Sequence, residues 1–252
     1  MQIDINCDMG ESFGQYKIGN DDAIFPFITS SNIACGFHGG DPVHIEETIV
    51  NAVKHGVQIG AHPSYPDLAG FGRRYMQLEK KELKAVLKYQ IAAVKGLVES
   101  HGGQLKYVKP HGALYNRAAK DEMEAHTIIE ALREIDDTLV LMGLAGSVTA
   151  AVSEKERVKF IAEAFADRKY EKDGSLMPRS KAGSVIHDPA LATNQVLSIV
   201  MDKCVYAEDG TAVPVHAQSI CIHGDNPNVV DILKKIDMEL KNRGIEKMYF
   251  SA

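Results

Sequence analysis

Residues 31–62, SNIACGFHGGDPVHIEETIVNAVKHGVQIGAH, contain two short apolar runs separated by an amphipathic segment. The runs cover residues 31–35 and 57–61, and both have the length of a buried strand. Between them, the pair Asp41-Pro42 supplies a capping carboxylate and a proline suited to the first turn of a helix. Apolar residues then recur on one helical face, at Ile45, Ile49, Ala52 and Val53. This order of strand, helix and strand predicts a parallel sheet.

The same alternation continues along the chain of 252 residues. Further apolar runs of strand length cover residues 3–7, 105–108, 139–143, 158–165 and 219–222. Amphipathic segments separate them, and the pairs Asp188-Pro189 and Asn226-Pro227 predict two more helix starts. Seven strands without a low-complexity linker predict an α/β protein with one domain, residues 1–252, closed as a single (β/α) barrel. An open doubly wound sheet has the same periodicity and is the alternative.

The composition is that of a globular protein, and it argues against several classes. Hydrophobic residues make up 45% of the chain, and 34 acidic residues outnumber 28 basic ones, for a net charge of -6. Without a basic stripe we expect no nucleic-acid partner. The first residues lack the basic region of a signal peptide, and residues 138–152, the longest uncharged apolar stretch, are too few for a membrane span. Four cysteines without a CxxC pair indicate a reduced, cytoplasmic protein that does not act at a membrane.

The first strand carries polar residues where a parallel strand is normally apolar. Asp4, Asn6 and Asp8 share one face by the period of two, and they point into a barrel if Ile3 and Ile5 point out. Burying such groups without partners costs about 2–7 kcal/mol each. They therefore belong either to a structural hydrogen-bond network, to a metal site or to a wet pocket.

Four of the ten histidines directly follow predicted strands: His38, His62, His111 and His223. The carboxyl ends of parallel strands converge on the ligand site in barrels and in open sheets alike. These histidines are therefore predicted to meet at one site. The histidines on predicted helices are expected to be surface or packing residues: His44, His55, His101 and His126.

Charged residues accompany this histidine set. Glu163 lies within an apolar strand, where a carboxylate needs a cation such as Lys109, either as a structural ion pair or for catalysis. Arg168 and Arg179 are either forks for a substrate carboxylate or loop charges in the long connection 168–188. A second long connection, 63–77, and this one are either surface excursions or lids of an active site. The chain has no GxxxxGK[ST] loop for a nucleotide and no GxSxG elbow.

Five segments closely resemble the LamB/YcsF family: DINCDMGESFG (4–14), NIACGFHGGDP (32–42), GAHPSYPD (60–67), KPHGALY (109–115) and CIHGD (221–225). The resemblance covers nearly the whole chain. It implies a seven-stranded barrel of the glycoside hydrolase and polysaccharide deacetylase kind. It also implies a subunit of an ATP-dependent 5-oxoprolinase, which cleaves 5-oxo-L-proline (pyroglutamate) to L-glutamate while ATP, as co-substrate, is hydrolysed to ADP and phosphate. The partners it implies are 5-oxoprolinase subunits B and C (PxpB and PxpC), and which subunit binds ATP is left open.

Opening a lactam requires a base, an acid, a positive group for the developing oxyanion and a holder for the substrate carboxylate. On chemical grounds the expected catalytic residues are Asp8, His38, His62, Lys109, His111, Glu163 and Asp225, the last as the residue that orients His223. The expected substrate-binding residues are Asn6, Glu11, Arg168, Arg179 and His223. A divalent metal, if bound, is expected on Asp8, His62 and His111.

Three other functions are compatible with the same residues. One is a metal-dependent deacetylase or cyclic-amide hydrolase that acts alone and without ATP. The second is a lyase that forms a Schiff base on Lys109. The third is a subunit that binds substrate without catalysing the reaction.

Overall fold

The computed structural model describes residues 1–250, and the strands in this part of the chain follow the predicted order closely. They are β1 (Gln2–Met9), β2 (Ser30–Ala34), β3 (Gln58–His62), β4 (Leu105–Val108), β5 (Val140–Leu144), β6 (Phe160–Phe165), β7 (Cys204–Tyr206), β8 (Ala212–Pro214), β9 (Ser219–His223) and β10 (Glu246–Lys247). Strands β1 to β6 and β9 are parallel, and β9 pairs with both β6 and β1, which closes the sheet. The predicted seven-stranded (β/α) barrel is therefore confirmed, and the open sheet is excluded.

The helices surround this barrel. They are α1 (Asp21–Ile24), α2 (Pro42–His55), α3 (Lys80–Ser100), α4 (Gly112–Ala118), α5 (Glu122–Ile135), α6 (Val148–Lys155), α7 (Pro189–Leu197) and α8 (Val229–Asn242). Each long helix buries one stripe, as α2 does with Ile45, Ile49 and Ala52. Within residues 1–250, we find no helix long and apolar enough to cross a bilayer.

Two of the three predicted helix starts are confirmed, and the third is wrong. The Asp41 carboxylate accepts hydrogen bonds from the first amides of α2, and Asp188 does the same for α7. Helix α8 instead begins at Val229, after Asn226 and Pro227. The Asn226 side chain donates to the Asp167 carboxylate at 3.2 Å and to the Ile186 carbonyl at 3.1 Å. Because this amide ties two loops together, the chain makes a further turn before the helix starts.

The inner and outer faces of β1 differ as the period of two predicts. Ile3 and Ile5 are buried in the apolar core, whereas Asp4, Asn6 and Asp8 are buried among polar groups. Asp4 accepts hydrogen bonds from the Thr29, Ser30 and Ser219 hydroxyls. Burial outweighs these bonds and raises the pKa of Asp4 to about 6. Asp4 thus belongs to a structural network, which leaves Asp8, nearer the carboxyl end of β1, for the site.

Strands β7 and β8 form an antiparallel hairpin that the periodicity does not predict. Two ion pairs connect this hairpin to the 168–188 connection: Lys181 with Glu208 at 2.8 Å and Lys172 with Asp209 at 2.7 Å. The hairpin therefore supports that connection from outside the barrel. Such exposed pairs contribute little stability individually.

Candidate active site

A cavity of about 640 Å3 opens at the carboxyl ends of the barrel strands, where ligand sites of this architecture lie. Its inner wall contains side chains at strand ends or just beyond them: Asp8, His62, Lys109, His111 and His223. The long connections 63–77 and 168–188 form much of the outer wall. Both connections therefore lie over a site instead of being mere surface excursions.

Lys109 is the central cation of the inner wall. Its ammonium lies 2.9 Å from Asp8 Oδ1, 2.9 Å from Glu163 Oε1 and 3.0 Å from Cys221 Sγ. Burial opposes the charged form, but Asp8, Cys221 and Glu163 outweigh it and hold the pKa of Lys109 well above its usual value. Burial likewise opposes ionisation of Asp8, but His62 and Lys109 hold the pKa of Asp8 well below its usual value. Both groups are charged at neutral pH, and a charged amine is the wrong form for Schiff-base chemistry.

Glu163 and Asn6 support Lys109 from below the cavity. Both are fully buried. The Glu163 carboxylate accepts hydrogen bonds from Tyr115 at 2.8 Å and from Asn6 Nδ2 at 2.8 Å, in addition to its ion pair. Asn6 Oδ1 in turn accepts from Lys109 at 3.2 Å and from Asn32 at 2.7 Å. The predicted pairing of Glu163 with Lys109 is confirmed, and this geometry makes Glu163 and Asn6 positioning groups.

His62 and His111 point nitrogen atoms at each other. His62 Nδ1 lies 2.6 Å from the Lys109 carbonyl oxygen, and His111 Nε2 lies 2.9 Å from the Phe71 carbonyl oxygen. Since a carbonyl only accepts, both of these nitrogens carry hydrogen, and in the neutral rings the other two carry lone pairs. Those two nitrogens, His62 Nε2 and His111 Nδ1, are 3.0 Å apart. Two lone pairs at this distance repel unless a proton or a metal ion lies between them.

Glu11 and His38 complete this cluster. His38 stacks on His111 with ring centroids 3.7 Å apart, and its Nε2 lies 3.1 Å from Glu11 Oε1. The other ring nitrogen of His38, Nδ1, is buried and has no hydrogen-bond partner among residues 1–250. Burial, with His62, holds the pKa of His38 well below its usual value; burial, with His38 and His62, does the same for His111. Burial, with the charge of Asp8, also raises the pKa of Glu11 well above its usual value.

The cluster of Glu11, His38, His62 and His111 fits a divalent metal. One ligand atom from each residue lies within 4.8 Å of the others. Imidazole nitrogens and a carboxylate oxygen are ligands of zinc, and backbone carbonyls orient two of these rings as in known metal sites. The set differs from the predicted triad. His62 and His111 belong to it, whereas Asp8 lies beside it, with Oδ2 3.3 Å from His62 Nε2.

The residue that orients His223 is Asp167, and the prediction of Asp225 is wrong. His223 Nδ1 lies 2.8 Å from Asp167 Oδ1, and the His223 backbone amide donates to the same carboxylate. Burial opposes ionisation of Asp167, but His223 outweighs it and lowers the pKa of Asp167. At Gly224 an added Cβ would lie 2.3 Å from the Asp8 carbonyl oxygen, so this position next to His223 requires glycine. Asp167 lies two residues after β6, at the carboxyl end of a strand, and the argument that selects the histidines also selects it.

Asp225 instead joins the two connections over the cavity. Its carboxylate forms an ion pair with Arg73 and lies 3.8 Å from Arg179 Nη1. Arg168 and Arg179 both line the cavity, as a role in substrate binding requires. Arg73 is a further cavity residue that sequence reasoning missed. Its position in the 63–77 connection, for which an active-site lid was one of the two alternatives, was the available signal.

The chain is similar in sequence and in fold to known proteins. The model of the LamB/YcsF family matches residues 3–252. The chain is 48% identical over 246 residues to the A subunit of 5-oxoprolinase from Acinetobacter baylyi, covering 98% of this chain and 97% of that protein. It is similar to the crystal structure of a lactam utilization protein from Thermus thermophilus, with 42% identity, a TM-score of 0.93 and coverage of 99% and 100%. A family 4 carbohydrate esterase from Streptomyces lividans shares the fold, at 11% identity, a TM-score of 0.53 and coverage of 99% and 93%.

Proposed function

Because the chain belongs to the LamB/YcsF family, we propose that it is the A subunit of a 5-oxoprolinase. The reaction is hydrolysis of the cyclic amide bond of 5-oxo-L-proline (pyroglutamate) to give L-glutamate, coupled to hydrolysis of ATP. The observation that carries this proposal is the 48% identity to the A subunit of a 5-oxoprolinase, over 98% of the chain. The word subunit implies partners, and we assign these as subunits B and C (PxpB and PxpC).

The chemistry explains why ATP is needed. The lactam of 5-oxoproline is an unstrained amide, and its carbonyl carbon is a poor electrophile. Transfer of a phosphoryl group to the carbonyl oxygen makes that carbon reactive toward water. Water adds to that carbon, the ring C–N bond breaks and the ring nitrogen takes a proton, which leaves an acyl phosphate. A second water then hydrolyses the acyl phosphate to the carboxylate of glutamate and free phosphate. The site must therefore position water, stabilise negative charge at the carbonyl oxygen and protonate nitrogen.

The inner wall supplies groups for each task. The Lys109 ammonium is held charged and nearly dry, so it stabilises negative charge on the substrate more strongly than it would in water. His223 lines the cavity with its ring fixed by Asp167, which suits it to give a proton to the leaving nitrogen. The Asp8 carboxylate lies between Lys109 and His62 and orients the attacking water.

Glu11, His38, His62 and His111 would hold a divalent metal at the edge of this wall. When bound, the metal would supply polarisation of a carbonyl oxygen or a water molecule of lowered pKa. Asp8 would then act beside it, through His62, instead of as its ligand. The buried His38 Nδ1 that lacks a partner and the facing nitrogens of His62 and His111 support this assignment.

The test measures glutamate and ADP release from 5-oxoproline and ATP with this chain alone, with subunits B and C alone, and with all three. We expect activity only in the complete mixture. In that mixture, His223→Gln is expected to lower kcat by about 10²-fold or more. His126→Gln, which removes a half-exposed histidine of α5, is the matched control and is expected to be neutral. Absence of activity in every mixture, with all three proteins folded, would refute the proposal.

The metal-ligand cluster favours a second candidate, a metal-dependent amide hydrolase that acts without partners. This candidate predicts turnover of 5-oxoproline or of acetylated sugars by the lone chain without ATP, and loss of that turnover on treatment with a chelator. The third candidate, a subunit that only binds substrate, predicts unchanged turnover when His223 is replaced in the complete mixture.

A further inference from the structure

We propose that the outer part of the cavity is a subsite for a phosphoryl group, formed by Arg73, Arg168 and Arg179. The subsite deepens the 5-oxoprolinase proposal and rests on it only for the identity of the compound that carries the phosphoryl group. Binding of phosphate itself requires nothing more than these three guanidinium groups.

The charge of the cavity wall is the first argument. In the part of the chain that the structure describes, six basic side chains line the cavity, whereas Asp8 is the only carboxylate among the lining residues. The positive charge of Lys109 is balanced by the buried carboxylates of Asp8 and Glu163. In the outer part, Arg73 and Arg179 share the carboxylate of Asp225. Among the described residues, Asp225 is the one carboxylate in ion-pair contact with these three guanidinium groups, and the nearby Asp167 carboxylate is paired with His223. Positive charge therefore remains in excess and attracts an anion.

Arg168 supplies the second argument, because its side chain is held in place without an anionic partner. It is only 3% exposed, yet it lines the cavity. One terminal nitrogen donates to the Met177 carbonyl oxygen, and Nε, which is buried, has no acceptor in the part of the chain that the structure describes. Burial and the charge of Arg179 lower the pKa of Arg168 to about 10, although the charge of Asp167 opposes this shift. A buried donor without an acceptor is unusual in a folded protein, and an anion in the cavity would supply the missing acceptor.

The third argument concerns which anion fits. A single carboxylate is matched by one guanidinium fork, and 5-oxoproline carries only one carboxylate. A phosphoryl group carries about -1.5 to -2 charge near neutral pH and offers three acceptor oxygens, which several guanidinium groups can engage together. The cavity of about 640 Å3 is also roomy for a single lactam ring. A lactam with an added phosphoryl group, or the end of a nucleotide, uses this space and this charge.

The two connections that carry these arginines meet over the cavity. Arg73 lies on the 63–77 connection, with its guanidinium 4.7 Å above the Phe71 ring. Arg168 and Arg179 lie at the start and in the middle of the 168–188 connection, and Asp225 joins Arg179 to Arg73. An anion placed among the three would therefore bridge both connections, beside the Lys109 and His223 end of the same cavity.

The test is calorimetric titration of the full-length chain with inorganic phosphate at constant ionic strength, with acetate as the monoanion control. We expect phosphate to bind more tightly than acetate. Arg179→Gln and Arg73→Gln, which replace side chains that are 26% and 35% exposed and so should fold, are each expected to weaken phosphate binding about 10-fold or more. The matched control is Arg243→Gln, at an exposed arginine just after α8, and it is expected to bind phosphate like the parent chain.

Two further ligands distinguish the sources of the phosphoryl group. Tighter binding of acetyl phosphate than of a non-hydrolysable ATP analogue, both in competition with phosphate, assigns the subsite to a phosphorylated lactam. The reverse order assigns it to the nucleotide.

The proposal is overturned if phosphate does not bind at millimolar concentration, or if both arginine variants bind it like the Arg243→Gln control. Because no lactam is present, that result would leave the 5-oxoprolinase proposal intact, whereas an inactive complete mixture would leave the phosphate result intact.

Discussion

Replacing Lys109 with methionine tests the charge balance at the centre of the barrel. The substitution keeps a long apolar chain but removes the ammonium that lies 2.9 Å from both Asp8 and Glu163. Breaking a buried ion pair by removing one partner typically costs about 3–5 kcal/mol, because the remaining charge is buried without compensation. For a chain of this size each kcal/mol lowers Tm by about 2–4 °C. We therefore expect Lys109→Met to lower Tm by roughly 6–20 °C.

The matched control is Lys84→Met on α3. Lys84 also contacts two carboxylates, at 2.8 Å from Glu134 and 3.4 Å from Glu130, but on the surface. Exposed pairs of this kind contribute about 0–1 kcal/mol. The assay is equilibrium unfolding in urea at neutral pH, with thermal unfolding as a second probe. The reasoning is refuted if Lys109→Met is no more destabilising than Lys84→Met.

A second variant separates lost charge compensation from lost packing. Adding Glu163→Gln to Lys109→Met removes one of the two carboxylates left without a counter-ion. The double variant is therefore expected to be more stable than Lys109→Met alone. If the two are equally stable, packing and not charge explains the loss.

The loss of stability caused by Lys109→Met is expected to depend on pH in one direction. The pKa of Asp8 is lowered in the folded chain, so ionised Asp8 contributes stability above its unfolded pKa, and that stability is lost as pH falls through the folded pKa. Burial opposes this lowering of the Asp8 pKa, and the charges of His62 and then Lys109 cause it. Lys109→Met should thus be most destabilising near neutral pH, and the deficit should shrink below about pH 4, where unfolded carboxylates are protonated.

Three other predictions follow from single features of the site and the barrel. Asp167→Asn removes the carboxylate that orients His223, so kcat of the assembled complex should fall about 10²-fold with little change in KM, and with an altered pH profile that a purely structural defect would not give. Gly60→Ala places a Cβ 2.2 Å from the Tyr107 ring inside the barrel and should cost about 1–3 kcal/mol in urea unfolding, whereas Gly96→Ala, with open space on α3, should stabilise by about 0.5–1 kcal/mol. Protein purified without chelator should contain about one divalent ion per chain by elemental analysis, and dialysis against chelator should lower Tm; a metal-free chain with unchanged Tm would contradict the assigned ligand cluster.

Periodicity located the strands because burial acts on each strand separately. Each barrel strand has helices outside and other strands inside, so a short apolar run is required whatever its partners are. The strand-end rule likewise brought His38, His62, His111 and His223 to one site, since parallel strands all present their carboxyl ends at the same edge. Pairing Glu163 with Lys109 needed only the cost of a buried charge.

The hydrogen-bond partners within the site followed no such local rule. Asp225 is two residues from His223 in sequence, yet Asp167 binds the ring, because β6 and β9 are neighbours in the sheet and the Asp225 carboxylate pairs with Arg73. Glu11, expected to bind substrate, lies two residues after β1, but only the packed fold shows that its carboxylate contacts His38 and His111.

By itself the sequence determined the seven strands, the helices between them, the end of the barrel that carries the site, and the family. These properties depend on local periodicity, on capping chemistry and on residue types at strand ends, all of which can be seen one segment at a time. Tertiary structure alone decided that the sheet closes from β9 to β1, that Glu11 and not Asp8 completes the histidine cluster, and that Arg73, Arg168 and Arg179 line one cavity. The physical reason is that closure and electrostatic pairing depend on distances between segments far apart in the chain, and only the packed fold fixes those distances.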